Sequence, residues 1–119
     1  MGSKATFVIG AAILLLAVMP LSAHHALAAQ YNLNESVTLK GTVIKVQWMN
    51  PHVRLYMERM VDGSADMPWQ LELASPNLLV LGGLKIDSLR QGDHVTVSIY
   101  PARDGSNLGY AKKITRDTR

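Results

Sequence analysis

A chain of 119 residues without cysteine has room for one domain and can build neither a disulfide framework nor a thiolate metal site. Its 12 Lys and Arg against 9 Asp and Glu give a net charge of +3, a mild excess spread along the chain. No basic cluster interleaved with aromatic residues accompanies it, so nucleic acid is not an expected partner.

Residues Ala5 to Met19 form an uncharged apolar run preceded by Lys4 and followed by Pro20, Ser22 and Ala23. A positive start, a short apolar stretch and a small-residue end are the parts of a secretory signal peptide. The run falls short of the roughly 20 apolar residues a spanning helix needs. Cleavage is therefore expected, with a periplasmic or secreted product and no stable membrane insertion afterwards; an uncleaved membrane anchor is the alternative. Leu21-Ser22-Ala23 permits a cut before His24, and Ala26-Leu27-Ala28 permits a later one before Ala29. The first lies at the usual distance from the apolar run. It divides the chain into a signal peptide (1–23), an extended lead-in (24–36) with Tyr31 and Leu33 as docking points, and a β domain (37–119).

Val37 to Met49 is rich in β-branched residues and reads as a long first strand. Its apolar positions are odd at Val37, Leu39 and Val43, then even at Ile44, Val46 and Trp48. Gly41 stands just before the change, where a glycine often marks a bulge or bend. A long bent first strand is how a small sheet curls into a barrel. His52 to Glu58 alternates as a second strand, with Val53, Leu55 and Met57 on one face and His52, Arg54, Tyr56 and Glu58 on the other. Val61 to Pro68, around Asp62-Gly63-Ser64, reads as a hairpin loop.

Trp69, Leu71 and Leu73 mark a third strand. Ser75-Pro76 then supplies a helix cap and a first-turn proline for a short helix over Asn77 to Leu81, stopped by Gly82-Gly83. A turn at Arg90 to Asp93 feeds a fourth strand whose Val95, Val97 and Ile99 point inward. Tyr110 to Thr115 gives a fifth, and the basic end from Lys112 to Arg119 is a solvated edge and tail. Three strands, a short helix and two strands is the order of an OB fold. The expected fold class is thus all-β, a small five-stranded OB-like barrel with one short helix between strands 3 and 4. A small open β-sandwich is the alternative.

Three stretches then carry a family likeness. They are His24-His25-Ala26-Leu27-Ala28-Ala29; Gly41-Thr42-Val43 running to Trp48-Met49-Asn50-Pro51-His52; and Ser75-Pro76-Asn77 followed by Leu89 to Asp93 and Tyr100 to Gly105. In these the sequence resembles an exported bacterial family catalogued as a domain of unknown function, number 6152. Members commonly have Ser-Phe where Ala26-Leu27 stand, and His94 lies outside the pattern. The resemblance implies an exported OB-like domain and carries over no activity.

Four histidines remain to be read: His24, His25, His52 and His94. Imidazole is a good ligand for copper and zinc at neutral pH. Cleavage before His24 would give that residue a free α-amine beside its own ring. Amine and Nδ1 can close one chelate, and a second imidazole completes a T-shaped nitrogen site suited to copper. His52 is the expected partner, since its strand parity sets it opposite Val53 and Leu55, and His25 is a competing ligand. The metal ligands expected are therefore His24, His25 and His52, with copper first and zinc second. A bland reading stands beside this one, in which His24 and His25 belong to a solvated tail and His52 merely begins a strand. His94 reads as a surface strand residue.

Trp48, Met49 and His52 fall within five residues, which invites comparison with a small OB-fold chaperone of a copper efflux system that binds cuprous ion with histidine, methionines and a tryptophan face. Met49 has no second methionine beside it, and methionine is a common core filler. Trp48 is accordingly read as packing. No nucleophile elbow or close carboxylate pair points to catalysis, and Ser75 is a helix cap. The rival to metal binding is a module whose face of Trp48, Asn50, Arg54 and Tyr56 holds a peptide, an oligosaccharide or another periplasmic or membrane protein.

Overall fold

A computed structural model describes residues 6–9 and 21–117. The strands are β1 (Thr6–Ile9), β2 (Val37–Gln47), β3 (Arg54–Val61), β4 (Ser64–Glu72), β5 (His94–Pro101) and β6 (Leu108–Asp117). Two helices accompany them, α1 (Leu21–Gln30) and α2 (Pro76–Leu81).

Strands β2 to β6 form a closed ring. Antiparallel pairing joins β3 to β2 and β4, and β5 to β2 and β6, while a short parallel contact, Gln70 to Glu72 against Leu108 to Tyr110, closes β4 onto β6. One strand long enough to pair at both ends makes closure possible. Val37 to Thr42 of β2 pair with β5, and Gly41 to Gln47 pair with β3. This is the five-stranded mixed barrel of the OB kind, with α2 between its third and fourth strands.

The change of parity in β2 is a bulge, and it falls where the apolar pattern placed it: the register shifts between Val43 and Lys45. Gly41 has a different role from the one expected. A Cβ there would stand 2.0 Å from the Glu58 carbonyl oxygen and 2.7 Å from the Met57 Cε. Glycine allows the two strands to approach; Ile44 absorbs the extra residue.

Inward positions of every barrel strand fill the core, with Leu39, Val43, Leu55, Met57, Leu71, Val97, Ile99 and Ile114 almost wholly buried. Ser75 caps α2 through its hydroxyl, which accepts from the Leu78 amide, and Pro76 sits in the first turn. Gly83 takes a positive φ of 97° just past the helix end, the glycine stop expected of that pair.

Two segments depart from expectation. The stretch expected as a loop over Val61 to Pro68 is strand from Ser64 onward, because the turn needs only two residues. Asp62 and Gly63 have φ of 52° and 79°, the left-handed pair of a tight hairpin turn. The lead-in expected to be extended over 24–36 is helical as far as Gln30, in a helix that begins at Leu21, within the stretch read as signal peptide. It is rich in alanine, the best helix former, but only Leu27 of it is buried, so no apolar stripe advertised the helix. Tyr31 docks as expected, 3% exposed and bridged to Ala102. Leu27, Tyr31, Ala102 and Tyr110 form a second apolar cluster that joins α1 to the barrel, with Leu33 packed against it.

Of the apolar run expected as a signal peptide, Thr6–Ile9 pair antiparallel with Ile114 to Asp117. Its other residues, Ala5 and 10–19, lie outside the described ones. None of the five pairings that close the barrel uses β1. No helix among the described residues is long and apolar enough to cross a membrane.

Candidate functional site

His52 ends the bend after Asn50-Pro51, whose peptide bond is cis, and precedes β3. In the register of β3 and β4, Arg54 lies opposite Glu72, so the last residue of β4 comes beside the start of β3. There the Glu72 carboxylate pairs with His52 through Nδ1. Its other oxygen accepts from the Tyr31 hydroxyl at 2.9 Å. Tyr110, opposite Glu72 on β6, sets its ring edge-on to His52 with centroids 6.4 Å apart. A second tilted contact of 6.0 Å joins Tyr110 to Tyr31.

His52, Glu72 and Tyr31 help to line a cleft of about 260 Å³, together with Ala23, Ala26, Leu27 and Gln30. One side of the cleft is α1, which contributes Ala23, Ala26, Leu27 and Gln30. Arg103 fastens the far end of that helix: its Nε donates to the Ala28 carbonyl at 2.6 Å and its backbone N–H to that of Gln30 at 3.0 Å. A cation at the carboxyl end of a helix also opposes the helix dipole.

The electrostatics are those of half-buried polar groups. The His52 side chain is 38% exposed and that of Glu72 is 21% exposed. Burial, the charge of Glu72 and the hydrogen bond to it raise the Tyr31 hydroxyl above the ordinary phenol range. Burial first, then Glu72 and Tyr100, push Tyr110 up to about 12. Both phenols keep their protons at neutral pH, and Tyr31 donates its own to Glu72. The carboxylate contacts Nδ1 and leaves Nε2 without that partner, the arrangement that orients metal-binding histidines.

The other expected site residues scatter. His24 and His25 are exposed on α1, and His24 directly follows Ala23, which lines the cleft with His52. Trp48 packs against the main core and faces a separate hollow lined by Val46, Leu73, Leu84 and Ile86. Asn50 and Arg54 are exposed. Tyr56 is half-buried, donates to Gln47 Oε1 at 3.0 Å and lies under Lys45 Nζ at 4.8 Å. With Trp69, Gln70, Asn107 and Leu108 it borders a second, shallower groove of about 380 Å³. His94 is a surface strand residue whose Nδ1 lies 3.2 Å from Thr42 Oγ1.

From the sequence Tyr110 carries no site role, and Glu72, with Glu58, reads as ordinary surface alternation. Glu72 showed only the alternation of a strand with Leu71 and Leu73 inside, and its partnership with His52 depends on a register between distant residues. Among the described residues no three His, Cys, Asp or Glu side chains gather as a metal site. A metal held in this cleft thus needs a donor beyond those side chains.

No curated protein matches the chain. A family model matches residues 12–111, nearly all of the barrel together with α1. The chain belongs to that family, a family of unknown function (DUF6152).

Proposed function

We propose that this chain is an exported binding module that holds a copper ion in the cleft between α1 and the barrel. The ligands are the α-amine and imidazole of His24, freed by cleavage after Ala23, and Nε2 of His52, with His25 as a competing ligand for the α1 side. The protein serves as a carrier, buffer or accessory subunit, without catalysis of its own.

One observation carries this reading: Ala23 and His52 line the same cleft. Cutting the bond between Ala23 and His24 frees an amine on the residue that follows one lining the cleft. The Glu72 contact supports it by orienting Nε2 outward. The amine is also the extra donor that a site with too few side-chain ligands requires. A cut before Ala29 would discard Leu27, 6% exposed and packed with Tyr31, Ala102 and Tyr110. That cost favours the earlier cut.

The test is mass spectrometry of the exported protein followed by copper titration. A terminus at His24 and one equivalent of copper are expected; a terminus at Ala29, or no copper uptake, overturns the reading. The groove beside Tyr56 favours a second reading, a module for a non-metal protein, peptide or oligosaccharide partner. Alanine at His24 and His52 separates the two, since partner capture at Tyr56 is unaffected by either substitution.

A further inference from the structure

Resting on signal cleavage after Ala23, but on no metal, we propose that β6 is a docking edge at which two mature copies of this chain join as an antiparallel pair. The edge follows from the way the barrel closes. One side of β6 carries β5 from Gly109 to Arg116. The other side carries β4 only from Leu108 to Tyr110. Farther along, from Ile114 to Asp117, that second side is taken by Thr6–Ile9 of β1. Cleavage removes β1 and leaves the backbone N–H and C=O groups of this stretch without a strand beside them. Such an edge is a template for another extended chain, and the place of β1 shows that an antiparallel strand fits there.

The order of side chains selects a second copy as the occupant. Lys113, Thr115 and Asp117 share one face by strand alternation; Lys113 and Asp117 are exposed and Thr115 is half-buried. Sheet edges are commonly guarded by charge, lysine above all, so that like edges repel. Here a lysine and an aspartate stand symmetrically on either side of a threonine. A two-fold axis through Thr115 sets each Lys113 opposite Asp117 of the other copy and threonine opposite threonine, both favourable cross-strand pairs. A slip of register by two residues loses both ion pairs. A face complementary to itself is what a two-fold contact requires. On the opposite face Ile114 belongs to the core and Arg116 donates to the Ser88 carbonyl, so both stay with their own barrel.

A ribbon from Lys113 to Asp117 is small as interfaces go, and the dimer is accordingly a weak one. The experiment uses protein beginning at His24, so its outcome does not depend on where the exported chain is cut. Sedimentation equilibrium is measured up to about 1 mM protein, the weak end of specific association, with EDTA present so that copper plays no part. Reversible dimerisation is the expected result. Lys113→Asp or Asp117→Lys alone sets like charges face to face and should weaken association about tenfold; the two changes together should restore it. A monomer at every concentration overturns the proposal, and so does a dimer that neither single change weakens, since it would use another face. The mass of the exported protein judges cleavage separately. An exported chain that keeps β1 defeats the cleavage reading and the free edge with it, whatever the shortened protein does.

Discussion

At the scale of single residues, Glu72 makes His52 more than an imidazole at the start of a strand. The carboxylate fixes which ring nitrogen is free and which way it points, and the Tyr31 hydroxyl holds the carboxylate in turn. Glu72→Gln keeps the shape but removes the charge that orients the ring. Copper affinity should fall by about 10- to 100-fold, the usual effect of losing such a partner, with the thermal transition little changed. Unchanged affinity would mean that Glu72 serves packing alone. The tyrosines give an independent reading of the same cluster. Tyr31 and Tyr110 hold their protons in the folded state beyond the value near 10 of a free phenol. A group whose folded value is raised stabilises fully below its unfolded value and loses that contribution as pH rises through the folded one. Here the window runs from about pH 10 to the Tyr110 value of about 12. Ultraviolet titration should show part of the tyrosine absorbance change delayed until the fold is lost. A complete change by about pH 11 in still-folded protein would contradict the buried cluster.

Elements show where the sequence spoke clearly and where it did not. The strands, the capped helix α2 and the bulge in β2 were legible because apolar parity, capping residues and glycines act locally. Gly41 was visible as unusual, but its reason was not, since the crowding comes from Glu58 on another strand. Gly41→Ala should destabilise the barrel by about 3 kcal/mol, the upper end of overpacking costs. The new Cβ meets backbone at 2.0 Å, which cannot swing aside, and equilibrium denaturation measures the effect. Helix α1 was missed for the opposite reason. Leu21–Gln30 buries one side chain, so its helicity rests on alanine propensity and on fastening at one end, neither of which makes a periodic pattern. Arg103→Ala should cost about 1 kcal/mol and speed amide exchange in α1 while leaving the barrel strands protected. Equal exchange in both proteins would show that Leu27 and Tyr31 hold the helix without help.

For the whole molecule, closure decides what sequence alone could not. The order of strands, short helix and strands suggested the barrel, but the parallel contact of β4 with β6 is what brings Tyr110 next to Glu72, and hence next to His52. Such a meeting joins the β3–β4 hairpin to β6, which is distant in sequence, and no local pattern encodes it. The ring of pairings is complete without β1, so protein lacking residues 1–23 should fold with its five-stranded barrel intact, as circular dichroism can check. The copper reading then comes down to one covalent detail, the free amine of His24, which follows a residue lining the His52 cleft. The most direct measurement compares copper affinity for protein beginning at His24 with protein that retains Ala23 in front of it. Tight binding of one copper by the first and a large loss in the second is the expected result. Equal affinities in the two would contradict a terminal-amine ligand and leave the cleft without its proposed role.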